Sequence, residues 1–137
     1  MKIVWILNSY GLDSGAITGS PIRFHAVSSR WQREVPGIEQ VLVTTSGGER
    51  VLRSVGCTLP IVRVPASLVF AREPFKTKAF RLWSYFVTSF HAHLFKRRLP
   101  EADFVITVSD YFCDVAAACV VKRMRAGTRW IAWIHHK

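Results

Sequence analysis

Acidic residues are scarce in this chain of 137: nine Asp and Glu stand against nineteen Lys and Arg, a formal net charge of +10. Long apolar runs are missing too. The segment 79–95 is too short and is interrupted by Arg81, His91 and His93, which argues against a membrane span. Cysteine is sparse: Cys57, Cys113 and Cys119 form an odd set without CxxC spacing. That argues against a disulfide framework and a structural zinc site, and for small buried residues in a reducing compartment. The start, Met1-Lys2 followed by Ile3 to Leu7, has no long apolar region and no small-residue cleavage site. It reads as a first strand rather than a signal peptide, and a cytoplasmic location follows. Neither GxGxxG, nor a P-loop, nor GxSxG occurs. Dinucleotide binding, Walker-type phosphate binding and a serine nucleophile elbow therefore lose their main support. Paired catalytic carboxylates are not evident either.

What the chain does contain is a regular alternation. Half its residues are hydrophobic and a fifth are charged, a globular composition for one domain with one core. Short apolar runs, Ile3 to Leu7, Gln40 to Thr45, Ile61 to Val64, Phe104 to Val108 and Trp130 to Ile134, alternate with segments of helical period. This predicts a Rossmann-like, doubly wound α/β fold with a mainly parallel sheet of about five strands and helices on both faces. Ser20-Pro21 reads as an N-cap followed by proline at the first helical position, opening a helix that Pro36-Gly37 closes. Gly56 and Gly127 close two more, over Glu49–Val55 and roughly Cys113–Arg125. The longest helix is expected from about Thr77 to Arg98. Ala79, Leu82, Trp83, Phe86, Phe90 and Leu94 share one of its faces at spacings of three and four, and most of that stripe is expected to be buried. His91 and His93 point about 200° apart on such a helix and read as surface or interface residues. The chain stops three residues after the fifth strand with no covering helix, which predicts a truncated domain spanning 1–137.

In a parallel sheet the carboxyl ends of all strands face one crevice. That rule gathers five places: the loop from Asn8 to Ser20, Thr44-Thr45-Ser46, the loop 65–73, Ser109-Asp110-Tyr111, and His135-His136. The first loop places small residues, Gly15, Thr18, Gly19 and Ser20, before a helix, where backbone N–H groups can meet a phosphate or a sugar hydroxyl. An ordinary strand-to-helix loop has the same composition. Arg23 adds charge nearby or points to solvent. Asp110 is a crevice-facing acceptor or base, or equally a helix cap. Tyr111 stacks on a sugar ring or a lipid, or simply packs. Of the adjacent His135 and His136, one can face the crevice and orient a substrate or act as acid or base near neutral pH, because neighbours on a strand diverge. The same divergence disfavours a metal pair.

These residues carry a resemblance. Ile3 to Leu7, the glycine-rich loop, the helix and Gln40 to Thr45 resemble the opening of GT-B glycosyltransferases of the family 4-like (group 1) kind. Ala102 to Tyr111 and Trp130 to His136 resemble that family's later pair of strands, the first ending in a polar or acidic residue and the second in a histidine. The resemblance covers nearly the whole chain and implies the acceptor-binding N-terminal half of a retaining, nucleotide-sugar-dependent hexosyltransferase. The active site then lies between this domain and a C-terminal donor domain carrying a Glu-rich motif, absent here, so that the fragment alone is inactive. By position His135 matches the family histidine near the transferred sugar and becomes the catalytic candidate. Asp110 matches the neighbouring polar residue, and Gly15 to Ser20 match the loop that approaches donor phosphates and acceptor. The implied partners are a sugar, glycan, lipid-linked or cell-envelope acceptor. The implied donor is a nucleotide sugar bound by the other domain, with no metal and no cofactor in this one. The adjacent glycine pair common in that loop is missing here.

The charge excess is local. Arg72, Lys76, Lys78, Arg81, Lys96, Arg97 and Arg98 crowd one segment with a single acid, Glu73, and Lys122, Arg123, Arg125 and Arg129 form a second cluster. Such a field suits an anionic membrane or another polyanion, and a cytoplasmic protein held peripherally at the inner membrane face. The bland reading is a solvated basic face. The competing functional reading is a free-standing basic α/β module that docks on membrane or polyanion. Nucleic acid ranks low because no RNA- or DNA-reading motif occurs. A nucleotide-cofactor oxidoreductase ranks last, since the second strand ends Thr44-Thr45-Ser46 without an acid.

Overall fold

The computed structural model describes residues 1–8, 19–64, 78–94, 96–109 and 112–133. Five strands, β1 (Lys2–Leu7), β2 (Glu39–Thr44), β3 (Ile61–Arg63), β4 (Phe104–Thr107) and β5 (Arg129–Ala132), form one sheet in the order β3-β2-β1-β4-β5. Every pairing is parallel, with Lys2 opposite Glu39 and Ile3 opposite Phe104. Among the described residues four helices accompany them: α1 (Gly19–Glu34), α2 (Ser46–Ser54), α3 (Lys78–Leu94) and α4 (Phe112–Met124), with a 3₁₀ turn at Lys96–Arg98. The fold is α/β and Rossmann-like.

β1 is central, and its alternation builds two cores. Ile3, Trp5 and Leu7 face one side with Phe24 of α1, Leu52 of α2, Leu42 and Ile106. Val4 and Ile6 face the other with Ala92 of α3 and Ala117, Ala118 and Val121 of α4. Near-continuous apolar strands are what a sheet covered on both faces requires. Trp5 anchors the first core. Its ring lies 5.2 Å from Phe24 and 5.3 Å from Trp31, and its indole N–H donates to Gln40 Oε1 at 2.8 Å. Gln40 in turn donates to Ser28 O at 2.9 Å, so the buried amide is satisfied on both sides.

Helix ends follow local chemistry. Gly37 and Gly127 adopt φ of 71° and 96°, a left-handed conformation that lets the chain turn out of α1 and α4 toward the next strand. The start of α1 differs from the sequence reading: the helix begins at Gly19, so Ser20 and Pro21 lie inside its first turn. α2 begins at Ser46, three residues early, because the Thr45 side chain accepts from Gly48 N and caps a glycine-rich first turn. Arg63 on β3 pairs with Glu49 of α2 and holds that carboxyl below its usual range.

The largest correction concerns α3. The helix ends at Leu94 rather than Arg98, and its aromatic stripe is not core. Trp83, Phe86, Phe90 and Leu94 are each about 60% exposed, whereas His91 and Ala92 are buried. α3 packs against α4. On that side the core takes small residues, Ala92, Ala117 and Ala118, and Trp83, Phe86, Phe90 and Leu94 are left outward. His91 is thus not a surface residue, though His93 is.

Candidate functional site

The strand order reverses direction at β1: β2 and β3 lie on one side, β4 and β5 on the other. The carboxyl ends of β1 and β4 therefore flank the switch point, where open α/β sheets place their ligands. Asn8 follows β1, Ser109 follows β4, and α4 begins beside both. These three places are tied by one residue, Asp114, in the first turn of α4. Its Oδ1 accepts the Asn8 backbone N–H at 2.6 Å, and its Oδ2 accepts the Ser109 hydroxyl. Asp114 and Asn8 are fully buried. A carboxylate here also meets the positive end of α4's dipole.

The Asn8 amide completes the knot by donating to Cys113 O at 3.4 Å, while its Oδ1 is buried and meets no hydrogen-bond partner among the described residues. Burial, and then the neighbouring Asp114 charge, push the Cys113 thiol far up, so it is inert rather than nucleophilic. The arrangement is a clamp that ties the carboxyl ends of β1 and β4 to the first turn of α4. Sequence reading missed Asp114. An acid in a helix first turn is the available signal, but its partner Asn8 is 106 positions away.

The other crevice candidates sort as follows. Thr44 and Thr45 are fully buried: Thr44 donates to Leu7 O at 2.8 Å and Thr45 caps α2, so both serve the fold rather than a ligand. Gly19 opens α1 with Ser20 next to it, and Arg23, one turn on, is exposed. Gly15, Thr18, Asp110, Tyr111, His135 and His136 lie outside the described residues, as do Arg72 and Lys76 of the basic segment. Lys78 and Arg81 belong to α3, and Lys96, Arg97 and Arg98 are exposed in the 3₁₀ turn that follows it.

A cavity of about 370 Å³ lies at the opposite, amino end of the sheet, lined by Asp103, Phe104, Arg125, Thr128 and Arg129. Three of its polar side chains are already engaged. Asp103 accepts Lys2 N at 2.8 Å and Arg125 Nη1 at 2.6 Å, and Thr128 donates to Ala102 O at 2.6 Å. The Lys2 N–H, and then the Arg125 charge, hold the Asp103 carboxyl below its usual range. This end is structural, which leaves the switch point as the candidate site.

Among the described residues no group of three or more His, Cys, Asp or Glu is placed to hold a metal ion. No helix among them is long and apolar enough to cross a membrane. No family model matches the chain, and no curated protein matches it.

Proposed function

We propose that the chain is the acceptor-side domain of a retaining nucleotide-sugar-dependent glycosyltransferase, with a glycan, lipid-linked or cell-envelope acceptor. The observation that supports this reading most is the clamp at the switch point. Asp114 holds the ends of β1 and β4 together, and the segments that continue from them carry Gly15 to Ser20 on one side and Asp110 and Tyr111 on the other. An all-parallel sheet with β1 at its centre suits a half-site of this kind, because transfer needs a rigid wall against which a second, donor-binding domain can close. In this reading His135, carried beyond β5, faces the transferred sugar, and Asp110 hydrogen-bonds a hydroxyl of donor or acceptor.

The test uses the intact parent. The reading frame should encode a second α/β domain with paired glutamates, and the purified product should release nucleoside diphosphate from a nucleotide sugar when acceptor is added. His135→Ala should lower kcat by about 10²–10⁴, the range for losing a positioned acid or base. A parent that is inert toward a full panel of nucleotide sugars, or a His135→Ala variant with unchanged kcat, would remove this reading.

A further inference from the structure

Seven large hydrophobic side chains are exposed among the described residues, and four of them, Trp83, Phe86, Phe90 and Leu94, sit on α3. Their spacings of three, four and four place them within an arc of about 80° along roughly 17 Å of helix. The opposite side holds the buried Ala92, and the buried His91 flanks the stripe on the way to it. This is a continuous stripe with a defined inner face behind it, not scattered surface residues.

The charge around the stripe says what covers it. No acid occurs between Glu73 and Glu101. Lys96, Arg97 and Arg98, all exposed, follow directly from the Leu94 end of the helix, and Lys78 and Arg81 belong to its first turn. A second copy of the chain would bring the same cations and another +10 against them. An uncharged protein groove would offer these cations no counter-charge of its own. An anionic bilayer surface answers both features: its interface takes tryptophan, phenylalanine and leucine, and its phosphates take lysine and arginine.

We propose that α3 docks in the plane of an anionic phospholipid surface, with Trp83, Phe86, Phe90 and Leu94 entering the interface and Lys96, Arg97 and Arg98 on headgroup phosphates. This does not depend on the transferase reading, and its test needs no nucleotide sugar.

The test is co-sedimentation of the 137-residue chain with vesicles of phosphatidylcholine alone and of phosphatidylcholine mixed equally with phosphatidylglycerol, at low and high salt. Tighter binding to the mixed vesicles, by about 100-fold for three basic residues, is expected. High salt should weaken it as the Debye length shrinks. Replacing the aromatic residues together, Trp83→Ser, Phe86→Ser and Phe90→Ser, should reduce binding at least tenfold while leaving the circular dichroism melt in place. Should that variant fail to fold, Lys96→Glu with Arg97→Glu supplies the second arm and should reduce binding to mixed vesicles alone. Any of four results would overturn the proposal: no binding to mixed vesicles, equal binding to both vesicle types, unchanged binding by the folded variants, or a dimer in light scattering that the aromatic variant splits. Tighter binding to an oligonucleotide than to the mixed vesicles would overturn it as well.

Discussion

Truncating Asp114 to alanine removes a side chain that joins the ends of β1 and β4 to the start of α4. The carboxylate accepts the Asn8 N–H at 2.6 Å and the Ser109 hydroxyl. Asn8 is fully buried, so its N–H has no water to replace the lost acceptor. Each hydrogen bond to a charged group is worth about 1.5–3 kcal/mol, and a small part returns because the carboxylate no longer has to be desolvated. Asp114→Ala should therefore cost about 3–5 kcal/mol, a large share of the 5–15 kcal/mol typical of a domain. Asp114→Asn keeps an acceptor for Asn8, and the Ser109 hydroxyl can turn to accept from the new amide, so about 1–2 kcal/mol is expected. Urea unfolding followed by far-ultraviolet circular dichroism reads both. At a denaturant slope of roughly 2 kcal/mol/M the alanine variant should lower the midpoint by about 2 M with the slope unchanged. An alanine variant within about 1 kcal/mol of the parent, or an asparagine variant as damaged as the alanine one, would refute the clamp.

Two further outcomes follow from the titrating groups. Burial raises the Cys57 and Cys113 thiols, so a maleimide at neutral pH should label the half-buried Cys119 first and reach the other two only on unfolding; mass spectrometry of the labelled peptides checks this. The Asp103 carboxyl lies below its ordinary value of 3.8 in the folded chain, chiefly through the Lys2 N–H. Its stabilising contribution is complete above that value and is lost as pH falls through the lowered one. Asp103→Asn should melt below the parent at pH 6, and the gap should close as the medium is acidified past 3.8; a gap that persists in acid would contradict the assignment.

Local signals were the most legible part of the fold. The apolar runs marked all five strands, because a sheet covered on both faces leaves no polar alternation to confuse the reading. Gly37, Gly56 and Gly127, all at positive φ, ended their helices where expected. The start of α2 was missed because Ser46-Gly47-Gly48 reads as loop, and only the Thr45 cap makes it helical. The α3 face was missed for a deeper reason. Periodicity identifies which residues share a face but not which face turns inward. Here the small residues of the α3 and α4 layer took the inner position. Asp114 was illegible because its meaning lies in partners brought together by topology, with Asn8 at one end of the chain and Asp114 near the other.

The central place of β1 also sets the order in which the molecule can be completed. Its pairing with β2 is available once residue 44 has been made, but its other edge waits for β4 at 104–107. At ~5–20 residues per second that edge stays bare for roughly 3–12 s of synthesis. Throughout that interval Val4 and Ile6 have no α4 to cover them. Asp103 accepting from Lys2, across 101 positions, belongs to the closing step. A nascent chain stalled before that step carries its most apolar strand half-paired, which makes the growing polypeptide, more than the finished one, the form that needs protection from its neighbours.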